Sequence, residues 1–161
     1  MLYQQGAYCE ASELIVLQLA LDRDNGGALT LQCRIYANEG RLDEAWKTSE
    51  LALAVDKLSS GLHYLRAVIL QEQGMDEEAG TSLKKALYLD QDLIMAHFTL
   101  ANLEQRKGKA KESRRHFSAA LSLLGRYGPD DVIPESDGML AWKLTEIITT
   151  TTARMSQRLV T

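Results

Sequence analysis

The sequence has little of what marks several special classes of protein. Two cysteines, Cys9 and Cys33, are too few to crosslink a chain of 161 residues, and their spacing fits no metal site. We expect both to behave as small buried hydrophobic residues. Apolar runs such as 15–17 and 68–70 are too short to cross a bilayer, and the N-terminus carries no signal-peptide pattern. These absences predict a cytoplasmic protein without membrane insertion.

The sequence also has no large excess of charge of one sign. Eighteen Lys and Arg stand against 22 Asp and Glu, a formal net charge of −4, which argues against a nucleic-acid partner. Hydrophobic residues make up 45% of the chain and charged residues 25%, which excludes disorder and collagen and leaves an ordinary globular domain.

The sequence contains no signature of catalysis. It has no phosphate-binding glycine loop, no nucleophile elbow and no metal-binding helix pattern. The paired glycines Gly26 and Gly27 stand between two predicted helices, so they do not form a cofactor loop after a strand. We therefore predict no catalytic residues, no cofactor and no metal in this chain, and no enzymatic activity of its own.

A repeat with one constant interval dominates the sequence. Four glycines are equally spaced along the chain, namely Gly6, Gly40, Gly74 and Gly108. Small residues keep the same register, at Ala11, Ala45, Ala79 and Ser113, at Cys33, Ala67 and Ala101, and at Ala52, Ala86 and Ala120. Because small residues allow helices to cross closely, the spacing predicts a repeated unit of packed helices.

The segments between the glycines have helical periodicity. Apolar residues recur at intervals of three and four, as in 29–36 and 79–87, which is typical of amphipathic helices. No segment alternates like a β-strand. Each glycine is expected to end one helix and open a tight turn. The sequence therefore predicts an all-α fold.

The repeat resembles the tetratricopeptide repeat, a helix-turn-helix unit of about 34 residues, which is the interval between the glycines. The resemblance rests on the turn Gly-Arg-Leu-Asp-Glu-Ala at Gly40–Ala45 and on Ala-Leu-Tyr-Leu-Asp at Ala86–Asp90. It implies a right-handed solenoid over residues 1–125, in a partial first unit and three full ones. Their bounds are 1–24, 26–58, 60–92 and 94–125.

The first unit is incomplete, because only Met1–Gln5 precede its turn glycine. The open end of a solenoid exposes apolar surface. We expect that this chain was cut from a longer protein, or that a neighbour covers the end. A homodimer formed through the open first repeat would cover this end.

The repeat stops after residue 124, and the only two prolines, Pro129 and Pro134, follow. Residues 126–136 are predicted to form a stiff linker. Ser136 and Asp137 offer a cap for a helix over 137–161, which places apolar residues along one side. We expect this helix to pack on the last repeat as a cap.

The tail carries a second resemblance. The segment Val-Ile-Pro-Glu-Ser-Asp-Gly-Met at 132–139, followed by Leu144 and Ile147-Ile148, is similar to the end of certain bacterial chemoreceptor methyltransferases. In those proteins a protein-glutamate methyltransferase domain precedes tetratricopeptide repeats. The resemblance implies that this chain is the non-catalytic, regulatory C-terminal region of such an enzyme in a chemotaxis-like signalling pathway.

The histidines have a structural interpretation. His63 and His97 are separated by one repeat interval, and equivalence in successive repeats explains them better than a metal pair. We predict that both pack between the helices of their units. His116 is expected on the surface.

The first resemblance also implies a partner-binding surface, since the first helices of tetratricopeptide units line a groove. The residues implied for it are Thr30, Arg34, Tyr64, Val68, Gln71, Met95, Phe98, Asn102 and Gln105. Its large apolar members would anchor an amphipathic helix or extended peptide, and Arg34 and Asn102 would orient it.

Alternatives stay open for this surface. Tyr64 and Phe98 fill space if the tail helix folds back into the groove. The clamp that some relatives use for a chaperone's C-terminal carboxylate is broken here, for example at Thr30 and Val68. Residues 106–111 include four Lys or Arg side chains, and we interpret them as a solvated turn. A docking patch for an acidic partner is the weaker alternative.

The two resemblances thus imply a protein-interaction module. Its favoured partners are a chemoreceptor, a signalling protein or its own methyltransferase domain. The alternative is a free-standing adaptor or assembly factor that binds a peptide or helix of an unrelated client.

Overall fold

The computed structural model describes residues 14–22 and 25–157. This part of the chain consists of helices joined by turns and one linker, with a single isolated bridge between Val132 and Leu140. The predicted all-α fold class is confirmed. The helices are α1 over residues 14–21, α2 Gly26–Asn38, α3 Leu42–Val55, α4 Ser60–Glu72, α5 Asp76–Leu89, α6 Ile94–Arg106, α7 Ala110–Leu124 and α8 Ala141–Gln157.

The repeated glycines end α2, α4 and α6 in one conformation. Gly40, Gly74 and Gly108 have φ of 73°, 76° and 74°, the left-handed region that glycine enters without a steric penalty. After Gly74, Met75 N donates to Leu70 O at 2.8 Å, while Gly74 N donates to Gln71 O at 3.0 Å. The other two glycines have the same pair of bonds, which defines the Schellman motif. Gly6 lies outside the described residues.

The small residues of the repeat mark close helix contacts, as predicted. None of nine such side chains has any exposed area; they are Cys33, Ala45, Ala52, Ala67, Ala79, Ala86, Ala101, Ser113 and Ala120. A larger side chain at these positions would push neighbouring helices apart. The period of the sequence is thus a period of packing as well as of turns.

The chain divides into two compact bodies, an N-terminal body of residues 1–79 and a C-terminal body of residues 80–161. In the N-terminal body, Cys33 and Ala45 pack with Leu65 and Ile69, so that α2, α3 and α4 share a core. The Cys33 thiol is buried as predicted and donates to Ala45 O at 3.3 Å. Cys9 lies outside the described residues.

The C-terminal body is built on the antiparallel pair α6 and α7. The rings of Phe98 and Phe117 lie 6.2 Å apart across this pair, and Phe117 is fully buried. The last helix, α8, packs against α7, where the Ser113 hydroxyl lies 4.0 Å from the Met155 sulfur. The tail helix therefore caps the last repeat, as the sequence predicted.

The start of α8 corrects the sequence prediction. The helix begins at Ala141 and not at Asp137, and Ser136 does not cap it. Instead, Ser136 Oγ accepts from Met139 N at 2.9 Å and donates to Ile133 O at 2.6 Å. Local side-chain bonds of this kind compete with helix formation, so residues 133–139 form a closed loop before the helix.

No helix in the described ranges is long and apolar enough to cross a membrane. Of the incomplete first repeat, residues 14–21 form α1, and residues 1–13, which include its turn glycine, lie outside those ranges.

Candidate functional site

The predicted partner surface of the N-terminal body lies on α2 and α4, which contact each other. Arg34, Val68 and Gln71 are half-buried and remain accessible. The Thr30 hydroxyl donates to Gly26 O at 2.7 Å, so its hydrogen is used within α2. Tyr64 is only 7% exposed, which corrects the expectation that it stands as an open anchor.

The corresponding residues of the C-terminal body lie on α6. Met95 is 7% exposed and so is also a core residue and not an open anchor. Phe98 is half-buried because its ring packs on Phe117. Asn102 Nδ2 donates to Phe98 O at 3.1 Å within the helix, which leaves its side-chain oxygen for a partner. Gln105 is half-buried.

The histidines at equivalent repeat positions make equivalent hydrogen bonds. His63 Nε2 lies 3.1 Å from Lys57 O, and His97 Nε2 lies 3.0 Å from Gln91 O, in both cases six residues back along the chain. Each ring thus ties the start of its helix to the preceding turn. This matches their prediction as packing residues, and no group of three metal-ligating side chains occurs in the described part of the chain.

His116 is not a surface residue, contrary to the sequence prediction. It is half-buried on α7, and its Nδ1 lies 3.0 Å from Nδ1 of His97 on α6. Burial lowers the pKa of His116 from 6.5 to about 4, and the charges of His97 and Arg115 act in the same direction. The ring is therefore neutral near pH 7.

The antiparallel register of α6 and α7 explains this pair. His97 and His116 are equally far along the chain from the point between Arg106 and Lys107, as are Glu104 and Lys109, whose charged groups are 3.4 Å apart. Repeat positions do not show the pair, because the two histidines meet across the helix hairpin and not at equivalent places in successive repeats. Counting outward from the residues just before the turn glycine, at 106 and 107, pairs the two histidines.

A pocket of about 420 Å³ opens beside the two histidines. It lies wholly within the C-terminal body and is lined by Leu87, Gln91, Asp92, His97, Arg115, His116, Ala119, Ser122 and Leu123. Asp92 at its rim is held by Arg126 at 2.7 Å. The pocket thus combines an apolar floor with one arginine and a histidine pair.

The tail segment 132–139 forms the closed loop that precedes α8. Ile133 is 1% exposed, and its N–H donates to Met139 O at 2.9 Å. Glu135, Asp137 and Gly138 have positive φ values of 62°, 53° and 90°, which only a tight and well-determined loop sustains. Residues 132–139 therefore position the capping helix.

Comparison with known proteins agrees with this architecture. Residues 60–93 match the tetratricopeptide repeat family. MamA from Desulfovibrio magneticus RS-1 superposes with a TM-score of 0.67 at 21% identity, over 78% of this chain and 71% of the MamA chain. A MamA structure from strain AMB-1 is 25% identical, with a TM-score of 0.60 over 75% of this chain and 71% of that one.

A third similar structure is the type III secretion translocator chaperone SycD of Yersinia enterocolitica. It has a TM-score of 0.66 at 17% identity, over 85% of this chain and 94% of SycD. No curated protein sequence matches the chain. These likenesses establish that the chain has the helix-repeat fold of tetratricopeptide proteins.

Proposed function

We propose that this chain is a non-catalytic module that binds a protein partner through the first helices of its repeats. The observation that carries the proposal is the match of residues 60–93 to the tetratricopeptide repeat, together with accessible side chains on α2 and α4. Arg34 and Gln71 supply polar contacts there, and Val68 supplies an apolar one. Such a mixed surface suits an extended peptide or an amphipathic helix.

The setting we propose is the regulatory C-terminal region of a chemoreceptor protein-glutamate methyltransferase in the bacterial cytoplasm. The similarity of residues 132–139 to the end of such enzymes supports it. Its partner would be a chemoreceptor, a signalling protein or the methyltransferase domain itself. Binding would then adjust methylation by placing enzyme and receptor together.

The size of the native polypeptide tests this setting. An immunoblot of source cells with an antibody against this chain is expected to show a band much heavier than 17.9 kDa, because the repeats would be joined to a catalytic domain. A band at 17.9 kDa would reject the methyltransferase setting and leave a small adaptor.

Binding variants test the surface itself. We expect Arg34→Ala with Gln71→Ala to weaken binding to the chemoreceptor's cytoplasmic tail, or to the methyltransferase domain, by about tenfold or more. Lys47→Ala is the matched control, since Lys47 is exposed on α3, a second helix of its repeat. Titration calorimetry measures both. Equal affinity of the double variant and the wild type for every candidate partner would reject this surface.

A second candidate function is a free-standing adaptor or chaperone. The likeness to SycD favours it, because SycD is a chaperone of a type III secretion translocator and matches 85% of this chain. Under this proposal the same surface binds a client outside any chemotaxis pathway. A native band at 17.9 kDa with loss of client binding in the Arg34 and Gln71 double variant would support it.

A further inference from the structure

The pocket of the C-terminal body contains a chain of hydrogen bonds that runs from Gln91 through His97 to His116. His97 Nε2 lies 3.0 Å from Gln91 O, and His97 Nδ1 lies 3.0 Å from His116 Nδ1. The two ring centroids lie 5.3 Å apart, close to the nitrogen separation plus one ring radius at each end. The two Nδ1 atoms therefore point at each other along a linear hydrogen bond and do not converge on a shared metal ion.

The Gln91 carbonyl fixes where the protons are. A carbonyl oxygen only accepts, so Nε2 of His97 must carry a hydrogen. In the neutral pair Nδ1 of His97 then holds a lone pair, and Nδ1 of His116 donates to it. This leaves Nε2 of His116 as an acceptor that has no hydrogen-bond partner within the described ranges.

One added proton changes Nε2 of His116 from an acceptor into a donor and breaks neither of the two hydrogen bonds. A charged His97 donates at both nitrogens, to Gln91 O and to Nδ1 of His116. His116 then carries its hydrogen on Nε2 and becomes a donor. A second proton, on His116 itself, would break the bond between the rings.

The charges around the pair favour an anion. Arg115 on α7 and Lys84 on α5 both lower the pKa of His116, whereas Glu104 on α6 raises it. The nearby carboxylates are already paired, Glu104 on α6 with Lys109 at 3.4 Å and Asp92 with Arg126 at 2.7 Å. Residues 80–126 contain nine Lys and Arg against four Asp and Glu. An incoming negative group therefore meets a net positive charge.

We propose that this pocket binds a carboxylate side chain of an acidic protein segment and takes up one proton as it does so. The guanidinium of Arg115 and Nε2–H of His116 donate to the carboxylate, while His97 holds the added charge. The site lies on α7 and the start of α6, and its lining contains none of the residues assigned to the partner-binding surface of the proposed function.

Titration calorimetry with a defined peptide tests the proposal. The probe is a capped peptide with glutamates spaced by glycine and serine, and its control has glutamine at each glutamate. We expect the glutamate peptide alone to bind, with affinity falling by up to about tenfold per unit of rising pH, as uptake of one proton requires. Measurement in phosphate and in Tris, which differ in ionisation enthalpy, gives the number of protons taken up.

Variants distinguish binding in the pocket from nonspecific electrostatic attraction of the acidic peptide. We expect His97→Gln to abolish proton uptake, because it removes the ring that holds the added charge, and Arg115→Gln to weaken binding by about tenfold. Arg114→Gln is the matched control, because Arg114 is exposed but does not line the pocket. The proposal is overturned if the glutamate peptide does not bind. It is also overturned if binding takes up no proton and is weakened equally by Arg114→Gln and Arg115→Gln. Neither result bears on the Arg34 and Gln71 surface.

A measurement on the wild-type protein tests the proposal even if a variant fails to fold. Nitrogen-15 NMR of the imidazoles is expected to show hydrogen on Nε2 of His97 and on Nδ1 of His116 at about pH 8. Peptide binding should move the His116 hydrogen to Nε2. Hydrogen on Nε2 of both rings in the free protein would contradict the hydrogen-bond chain and with it the proposal.

Discussion

Glu104 and Lys109 form an ion pair of 3.4 Å across the turn between α6 and α7, and only the lysine reaches solvent. The Glu104 side chain is 7% exposed, and its Oε2 accepts no hydrogen bond from any described residue. The equivalent positions of the two preceding repeats hold Tyr36 and Leu70. The C-terminal repeat thus buries a carboxylate where its neighbours carry large apolar side chains.

Replacement of this carboxylate should not destabilise the protein. We expect Glu104→Leu to keep or raise the melting temperature, because an apolar side chain of similar volume removes the desolvation penalty of a buried charge, often with a gain of about 1–4 kcal/mol. Lys109→Ala should lower it, because the charge of Glu104 then stays buried without its partner. Thermal unfolding followed by circular dichroism checks both; a large loss in Glu104→Leu would show that the ion pair is stabilising.

The turn glycines should not tolerate a side chain. Gly74 has a φ of 76°, so Gly74→Ala forces an L-residue into the left-handed region and should reduce stability by about 1–2 kcal/mol. Gly27→Ala is the control, since Gly27 lies within α2, where alanine is the better helix former. Urea unfolding of the two variants should shift in opposite directions, and equal shifts would refute the conformational argument.

The thiol of Cys33 should be inert in the folded protein. Burial raises its pKa to about 12, so almost no thiolate exists at pH 8. We expect iodoacetamide to leave Cys33 unmodified in native protein and to alkylate it in urea. Mass spectrometry of the tryptic peptide 24–34 measures this residue separately from Cys9. Rapid modification without denaturant would mean that α2 and α3 open readily.

The loop before α8 should be required for docking of the cap. Ile133 is 1% exposed, and Ile133→Ala should lower the unfolding free energy by about 2–5 kcal/mol. Val132→Ala is the matched control, because Val132 is 56% exposed and should change little. Fluorescence of Trp142, at the start of α8, reports whether the cap stays docked. Similar losses in both variants would contradict the assigned role of Ile133.

His116 should make the protein less stable in acid. Its pKa is about 4 in the folded chain against an ordinary value of 6.5, so the unfolded chain binds more protons between these values. Its contribution is complete above pH 6.5 and is lost as the pH falls towards 4. We expect the melting temperature to fall less over this range in His116→Gln than in the wild type. Parallel curves would show that burial of His116 does not depress its pKa.

Much of the fold was predictable because it depends on local and periodic features. Gly40, Gly74 and Gly108 end helices since the backbone there must turn left-handed, and a sequence shows glycine directly. The small residues, such as Ala45 and Ala120, mark helix contacts because volume alone decides how closely helices approach. The start of α8 was not predictable, because Ser136 bonds equally well as a helix cap or within a loop.

The candidate site was less predictable. Tyr64 and Met95 were expected to be open anchors, yet each is 7% exposed. Whether a side chain on a first helix is open or covered depends on the residues that surround it, which repeat position does not encode. The partner surface stays a prediction, and in the N-terminal body Arg34, Val68 and Gln71 are its accessible members.

By itself the sequence determined the repeat period, the all-α class and the places where helices end, because these follow from backbone conformation and side-chain volume. Only the tertiary structure decided that His97 and His116 form a hydrogen-bonded pair and that Glu104 is buried. The physical reason is that the environment of a polar group is set by what packs across from it. That neighbour comes from the opposite helix of the hairpin.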